Sequence, residues 1–524
     1  MGGTMVLLSN SSWGTADPAK NYTQFGFQLE QFVYDGLVGF QRASGRLGTA
    51  IVPDLAVAVP RPSDGGRTYV FQLRPGIRFS NGATVKASDF ANVIRRQFTV
   101  PGPANSFYTG IVGGARCAAS PAHCDLSKGV VTNDAARTVA FHLVAPDPEF
   151  LDKLALPFAA AVPSGTPAHS TGDTGPPGTG PYTMVSYNPN QGASLVRNRF
   201  FRVWSSAAQP QGYPDRIKVR IGLTAEQEVS EIENGQADWM ADQPPADRLA
   251  EMSAKHGSQI HLNPQGAVYY MALNVNVPPF DKVDARRAIN YAVNRAAYVK
   301  IFGGSALATP SCQVLPPNFP GYRPYCPYTL NPGSGKWTAP DVAKGRMLVA
   351  KSGTAGAAVS VYGTTDSVGK AITLQFVQDL DSVGFKATPK LLSNGIQYGF
   401  IQNSNNRVQV GYSQWFQDYP AASDFLNVLL GCANFHRGSD ASPNISGFCD
   451  RTVQAKIAMA AKLEQGNHVN AANTVWAGVD RLDTDLGPIV SLFNPKVIDF
   501  VSQRVGHYEF NPIGYFLFDQ AWVR

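Results

Sequence analysis

At 524 residues the chain is too long for one hydrophobic core, so two to four substructures are expected. Apolar residues make up 44% and charged residues 16%, a balance that excludes a disordered chain. The 44 basic and 38 acidic side chains leave +6 spread without a long Lys/Arg run, which argues against a polyanion groove, and no stretch of 18 apolar residues offers a membrane span.

The opening "MGGTMVLLSNSSWG" has no charged leading region and only a four-residue apolar run, so it does not read as an intact signal peptide. Further on, "TYVFQLRPGIRFSNG" (68–82) alternates Tyr69, Phe71 and Leu73 with polar neighbours as a half-buried strand does, and Asn81-Gly82 marks a turn. "KASDFANVIRRQF" (86–98) then changes to a helical period, with Phe90, Val93, Ile94 and Phe98 on one face and Ser88 as the expected cap. A small α+β unit is therefore expected after about residue 50. It closes near "GDTGPPGTGPYTMVSY" (172–187), where Gly and Pro interrupt every pattern.

Residues 215–240 read as strand, helix, turn, strand, a parallel βαβ unit, and 358–392 repeat that logic with Ile372, Leu374, Phe376, Val377 and Leu380 turned mostly inward. Two such halves imply two α/β lobes. Between them, 269–302 passes from a strand through Pro278-Pro279 into a helix packed by Ala288, Ile289, Ala292 and Val293, a candidate hinge connection. "QVGYSQWFQDYPAASDF" (409–425) is a buried strand that runs into a Trp, an acid and a proline turn, and 489–512 supplies short strands that return to the first lobe.

Six cysteines fall in three sequence-local couples on Pro/Gly/Ser-rich segments: Cys117 with Cys124, Cys312 with Cys326, and Cys432 with Cys449. An even, grouped count of this kind reads as three loop-closing disulfides, each worth roughly 2 to 3 kcal/mol. Metal binding is the alternative, but no CxxC is present and His123 and His436 lack His partners at ligand spacing. Disulfides imply an oxidising compartment, hence a mature exported chain whose leader has been removed.

No GxSxG elbow, GxxxxGK[ST] phosphate loop or HExxH zinc helix occurs, and the eight histidines are scattered. Asp238 and Asp242 form an acid pair that would suit glycoside hydrolysis, although such pairs are usually solvated. The residues therefore favour a ligand-trapping protein over an enzyme.

The segments "GRTYVFQLRPGIRFSNGATVKASDF", "GTGPYTM", "IENGQADWM", "ALNVNVPPFDKVDARRAINYAVNRAAYVKIF", "LPPNFPGY", "LQFVQDLDSVGFKA" and "WFQDYPAASDFLNVLL" occur in the order and spacing of the solute-binding proteins of peptide-type ABC importers. The resemblance to these dipeptide-, oligopeptide- and nickel-binding proteins covers roughly 15–520. It implies an α/β, two-lobed periplasmic-binding-protein fold (type II, large cluster C) with an extra α+β subdomain. The implied division is lobe I at 1–50, 179–272 and 492–524, the extra subdomain at 51–178, and lobe II at 273–491.

The resemblance also assigns residues. Asp418, three positions after Trp415, is the expected partner of a ligand's free α-amino group, in line with the cost of a carboxylate in an apolar cleft unless a cation arrives. The residues alone admit a second role for Asp418, capping the turn before Pro420. Gln414 and Phe416 correspond to positions whose backbone pairs with an extended ligand, with Tyr22, Thr23 and Gln24 after "ADPAKNYTQ" as the opposing edge. Tyr108 and Tyr419 are expected to line the pocket. Where some oligopeptide binders carry an Arg three positions before the motif Trp, this chain has Tyr412, so the ligand cation must balance Asp418 or the ligand differs from a conventional peptide.

The implied activity is that of an exported, non-catalytic receptor, without cofactor or metal, that closes around a short peptide or similarly cationic small molecule. Delivery to ABC permease subunits, a monomeric state and a lipid anchor on a missing N-terminal Cys, at a Gram-positive cell surface or in a periplasm, complete the expectation. The alternatives are the same fold holding an oligosaccharide, for which Trp415, Phe416 and Tyr419 would stack on rings, a two-lobed hydrolase, or a signalling receptor.

Overall fold

The computed structural model describes residues 2–102 and 104–524. Two compact units emerge, one running up to Asn263 and resuming at Ile498–Arg524, the other Pro264–Val497.

In the first unit the described elements that matter here are β1 (Thr4–Ser9), α1 (Gln24–Val33), β2 (Thr68–Gln72), α2 (Ala87–Thr99), β3 (Val130–Asn133), β4 (Thr138–His142), β5 (Tyr182–Asn188), β6 (Gly192–Arg197), β7 (Arg216–Ile221), α3 (Ala225–Glu233) and β8 (Trp239–Met240). The main sheet has the order β8-β1-β7-β6-β5. Strands β7 and β8 are parallel, as their βαβ pattern implies, but they are not neighbours: β1 lies between them, pairing Val6 with Lys218 on one side and Leu7 with Trp239 on the other. A strand from the start of the chain thus fills the gap that the local crossover leaves.

The α+β segment is a three-stranded antiparallel sheet, β2-β4-β3, with α2 beside it. Tyr69 and Phe71 are buried while Val70 between them is 52% exposed, which is the period-two alternation of a strand with one wet face. Phe90, Val93, Ile94 and Phe98 are all buried on α2. The cap differs from expectation. Ser88 lies inside the first turn and bonds Asp134 (3.0 Å), whereas the N-cap is Lys86, whose backbone amide donates to Asp89 Oδ2 (2.7 Å). An acid three residues into a helix reaches back over the cap amide, and it does so here without a capping hydroxyl.

The chain crosses between the units at 263/264 and again at 497/498. The first crossing falls inside β9 (Ile260–Pro264). The second unit then contains β10 (Ala267–Leu273), α4 (Val283–Ala292), β11 (Ala358–Thr364), α5 (Ser367–Ser382), β12 (Lys386–Leu392), α6 (Asn394–Gln402), β13 (Val410–Phe416), α7 (Ser423–Leu430) and β14 (Ile489–Phe500), the strand that carries the second crossing. The segment 269–302, expected as a hinge connection, lies wholly inside the second unit, where Ala288, Ile289, Ala292 and Val293 are buried in its core. The expected short return strands begin instead with the twelve residues of β14.

Across the second unit's sheet the order is β14-β10-β13-β11-β12. Strands β10 and β14 are antiparallel, as are β10 and β13, whereas β13, β11 and β12 are mutually parallel. Helix α5 buries Ile372, Phe376 and Leu380, but Leu374 is 39% exposed and faces outward, because positions 372, 376 and 380 alone complete a four-residue ridge. Strand β13 divides its side chains between two cores. Val410 and Tyr412 join one with Ile289, Phe376 and Leu492, while Trp415 packs on the other with Tyr270, Phe425 and Trp476.

Disulfide bonds join Cys117 to Cys124, Cys312 to Cys326 and Cys432 to Cys449, and none of the described cysteines is free.

Asp379 gives the second unit a pH dependence. Burial pushes its carboxyl up to about 6, against hydrogen bonds from the Tyr298 hydroxyl (2.6 Å) and the Gln375 side chain (3.1 Å) that favour the charged form. A folded pKa raised above the ordinary 3.8 means that the native state binds the proton more tightly than the unfolded chain. This contribution is therefore fully present below pH 4 and is lost as the pH rises to about 6, on the order of 3 kcal/mol. Asp379→Asn is expected to flatten that part of the stability-versus-pH curve, measured by urea denaturation across the window. An unchanged slope would remove Asp379 from the account.

Candidate functional site

In the second unit the three parallel strands β11, β13 and β12 end on one edge, at Thr364, Phe416 and Leu392. The carboxyl ends of parallel strands are where α/β sheets place ligands, because loops there are released from pairing while helix N-termini converge on them. Each strand delivers a polar residue just past its end: Asp366, Asn394 and Asp418. Burial raises the Asp366 carboxyl, but hydrogen bonds from the Gly369 amide (2.9 Å) and the Asn394 side chain outweigh it and hold it below the usual carboxylate range. Asp366 caps α5 in this way.

Strand β13 supplies the predicted ligand residues. On one side it pairs with β10 along its whole length, Val268 opposite Trp415 and Ala267 opposite Phe416. On the other side β11 accompanies it only at Val410 and Gly411. The Tyr412 carbonyl next in line accepts from the Gln397 side chain of α6 (2.8 Å). From Ser413 to Phe416 the outer edge of β13 is thus left by its parallel neighbour, and it runs directly toward Asp418.

Asp418 is half-buried, and its backbone amide donates to Asp424 Oδ2 (2.9 Å). The carboxylate that receives the Asp418 amide at the turn before α7 is that of Asp424, which is fully buried. Trp415 is partly buried, and its indole N–H is buried without a hydrogen-bond partner among the described residues. Gln414 is exposed; Phe416 packs edge-on to Tyr269 (6.1 Å), which itself stacks on Phe493 (4.6 Å). Tyr419 is buried, with 4% of its surface exposed.

Two further residues belong to this edge and escape a reading of the sequence. Tyr398, on α6, is 38% exposed, and burial, the neighbouring Tyr270 and then the charge of Asp418 hold its phenol above the ordinary range. Asp366 is the other. Only the "TDS" start of a helix after a strand signals Asp366, and nothing in the local pattern signals Tyr398. Tyr412 stands as a neutral phenol: burial first, then Tyr269 and Asp366, push its pKa well up.

The first-unit residues divide. Tyr22 is 42% exposed and leans on Phe27 and Phe158 (6.0 and 5.9 Å). Thr23 is extended, but its hydroxyl accepts from the Gly26 amide (3.1 Å) and donates to the Trp13 carbonyl (2.7 Å), so it caps α1. Gln24 opens that helix and bonds the Gly514 carbonyl (2.9 Å). The extended edge therefore stops at Thr23, and Gln24 offers no strand. Tyr108 is fully buried with its hydroxyl donating to the Lys153 carbonyl (2.9 Å), the geometry of a core tyrosine, which corrects its placement in the pocket. Tyr108→Phe is expected to cost about 1 kcal/mol of stability in urea titration and to leave solute binding unchanged; a loss of binding would return it to the site.

Asp238 and Asp242 do not act as a matched acid pair. Asp238 is fully buried and accepts from the Val6 amide (2.8 Å) and the Ser502 hydroxyl (2.9 Å), while Asp242 accepts from the Asn10 amide (2.6 Å). Asp17, in the "ADPAKNYTQ" segment, is also structural: it binds Arg96 through both oxygens (3.1 and 2.8 Å) and accepts from the Thr171 and Ala19 amides.

An α/β chain of two units, with an acid and an open strand edge at the carboxyl ends of parallel strands, is a two-lobed receptor for a small solute. The chain belongs to the bacterial extracellular solute-binding proteins, family 5, whose model matches residues 50–437. It is a solute-binding protein and not an enzyme. Among curated proteins it is 24% identical over 533 residues to the glutathione-binding protein GsiB of Salmonella typhi, covering 99% of this chain and 94% of that one. Solved structures share its fold, among them the following two. "Clavulanic acid biosynthesis oligopeptide binding protein 2" matches with a TM-score of 0.90 and 22% identity over 100% of this chain and 95% of the other. The periplasmic binding protein DppA from Helicobacter pylori, in complex with the peptide STSA, matches with a TM-score of 0.77 and 18% identity over 100% and 98%.

Proposed function

We propose that the chain captures a short peptide, or a similarly cationic small molecule, on the carboxyl edge of its second unit for import by an ABC permease. The observation that carries this reading is the backbone edge of β13 from Ser413 to Phe416, left by β11 and leading into Asp418. An extended ligand adds to such an edge through main-chain hydrogen bonds that ignore side-chain identity. Asp418 then pairs with the ligand's ammonium, and Trp415 and Phe416 flank it with apolar surface. The indole N–H of Trp415 wants an acceptor, which a peptide carbonyl supplies.

The names of the relatives support the class: glutathione is itself a peptide, and both solved neighbours are named for peptides. The same reading makes the protein an exported monomer, held at a membrane by a lipid, that hands its solute to permease subunits. Mass spectrometry of small molecules released by denaturing the purified protein tests it. The expected passenger carries a primary ammonium next to a carbonyl; a neutral oligosaccharide would overturn the peptide reading and favour ring stacking on Trp415.

A further inference from the structure

The sheet of the first unit has a carboxyl edge of its own. Strands β7 and β8 both run parallel to β1, and the three end at Ile221, Met240 and Ser9. The loops that follow are tied together by one residue. The Asn10 amide donates to Asp242 Oδ2 (2.6 Å), and the Asn10 side-chain amide donates to the Leu223 carbonyl (2.8 Å), so the loop after β1 holds those after β8 and β7. Helix α3 begins just beyond Leu223, packs on β1 and β8, and brings Glu228, fully buried, against Asp242.

Neither oxygen of Glu228 receives an N–H or a hydroxyl from the described residues. What lies within hydrogen-bond reach of it is a second acid, Asp242. Two ionised carboxylates offer acceptors only, so a hydrogen bond between them requires a proton on one of the two. The charged groups that act on Glu228 are Asp242 and Glu231, both acidic. Strands β1 and β8 carry no titratable side chain. The arginines of this region are engaged by other acids: Arg220 of β7 by Glu231 (2.8 Å), and Arg248 by Glu226 (2.7 Å) and Glu233 (3.1 Å). Burial first, then the charge and hydrogen bond of Asp242 and the charge of Glu231, push the Glu228 carboxyl up to about 9, which agrees with a proton held at neutral pH.

We propose that Glu228 and Asp242 share one proton, and that this acid pair is a latch on the three strand-end loops, closed while the proton is held and released when it leaves. Loss of the proton sets two like charges side by side, one of them fully enclosed, where repulsion is poorly screened. Asp242 is also the acceptor for the Asn10 amide, so that repulsion acts on the contact joining the loops after β1 and β8. A folded pKa above the ordinary 4.5 gives stability that is fully present below pH 4.5 and is lost progressively as the pH rises to about 9.

Urea midpoints of the full chain between pH 5 and 10 test this, in the wild type and in Glu228→Gln, whose amide supplies an N–H to Asp242 at every pH. E228Q is expected to gain on the wild type by about 1 M urea or more as the pH rises from 5 to 9, and to keep a constant offset above that. The infrared difference between wild type and E228Q at pH 7 is expected to contain the C=O band of a protonated carboxyl. A constant offset over the whole pH range, or a difference spectrum holding carboxylate bands only, would overturn the proposal. Should E228Q fail to fold, Asp242→Asn carries the test, because it removes the second acid and offers Glu228 an N–H. The loss of stability toward pH 9 is then expected to shrink, and a D242N with the wild-type pH profile would overturn the shared proton.

Discussion

Replacing Arg96 by methionine is expected to lower the stability of the first unit by about 3–5 kcal/mol, because it strands Asp17 as a buried charge with no counter-ion. Both side chains are at most 1% exposed, and the guanidinium meets the carboxylate through two nitrogens. The pair also organises chain segments far apart in sequence. Arg96 projects from α2, Asp17 from the loop after β1, and the Thr171 amide and the Pro167 carbonyl (2.8 Å from Arg96 Nε) join them from a third segment. Burial alone would raise the Asp17 carboxyl, but the hydrogen bonds and charge of Arg96, with the Thr171 and Ala19 amides, hold it below its usual 3.8. A depressed folded pKa gives stability that is present above pH 3.8 and is lost as the pH falls through the lower folded value. The variant should therefore show a lower urea midpoint at neutral pH. A cost under about 1 kcal/mol would mean that the loop is held by its backbone bonds alone.

Asp418→Asn is the second large expectation, a loss of about 2–5 kcal/mol in affinity for a ligand bearing a free ammonium. Trialanine and N-acetyl-trialanine make suitable probes in isothermal titration, together with glutathione, because acetylation removes the charge and leaves the backbone. The wild type should prefer the unblocked peptide, and the variant should bind both peptides alike. If the two peptides bind equally to the wild type, Asp418 does not read the ammonium. Fluorescence of Trp415 offers an independent readout, since a ligand carbonyl at its indole N–H would change the environment of a group that is otherwise unbonded.

Much of the proposed site was legible as residue types. Trp415 and Asp418 stand out because a strand of buried residues turns without transition into an aromatic, an acid and a proline. The open edge of β13 was not legible, because it depends on where β11 stops pairing, and a sequence carries no record of its neighbour's register. Gln24 and Tyr108 show the opposite failure. Each has the chemistry of a ligand contact, yet Gln24 is taken into a helix begun by the Thr23 cap, and the Tyr108 hydroxyl is used by the Lys153 carbonyl in the core. Tyr398 and Asp366 come to the edge of β13 only because parallel pairing stacks three strand ends side by side.

The amino-acid order by itself determined the local period of each strand and helix, the βαβ units, the sequence-local cysteine couples and the succession of motifs that marks the family. All of these are set within a few tens of residues, where alternation, turn chemistry and chain proximity act directly. Tertiary structure alone decided that β1 slots between β7 and β8, that the crossings fall at 263/264 and 497/498, and that Asp17 meets Arg96. The reason is physical: which buried charge meets which partner, and which strand edge stays open, depends on contacts between segments separated by tens to hundreds of residues, which the local pattern leaves unspecified.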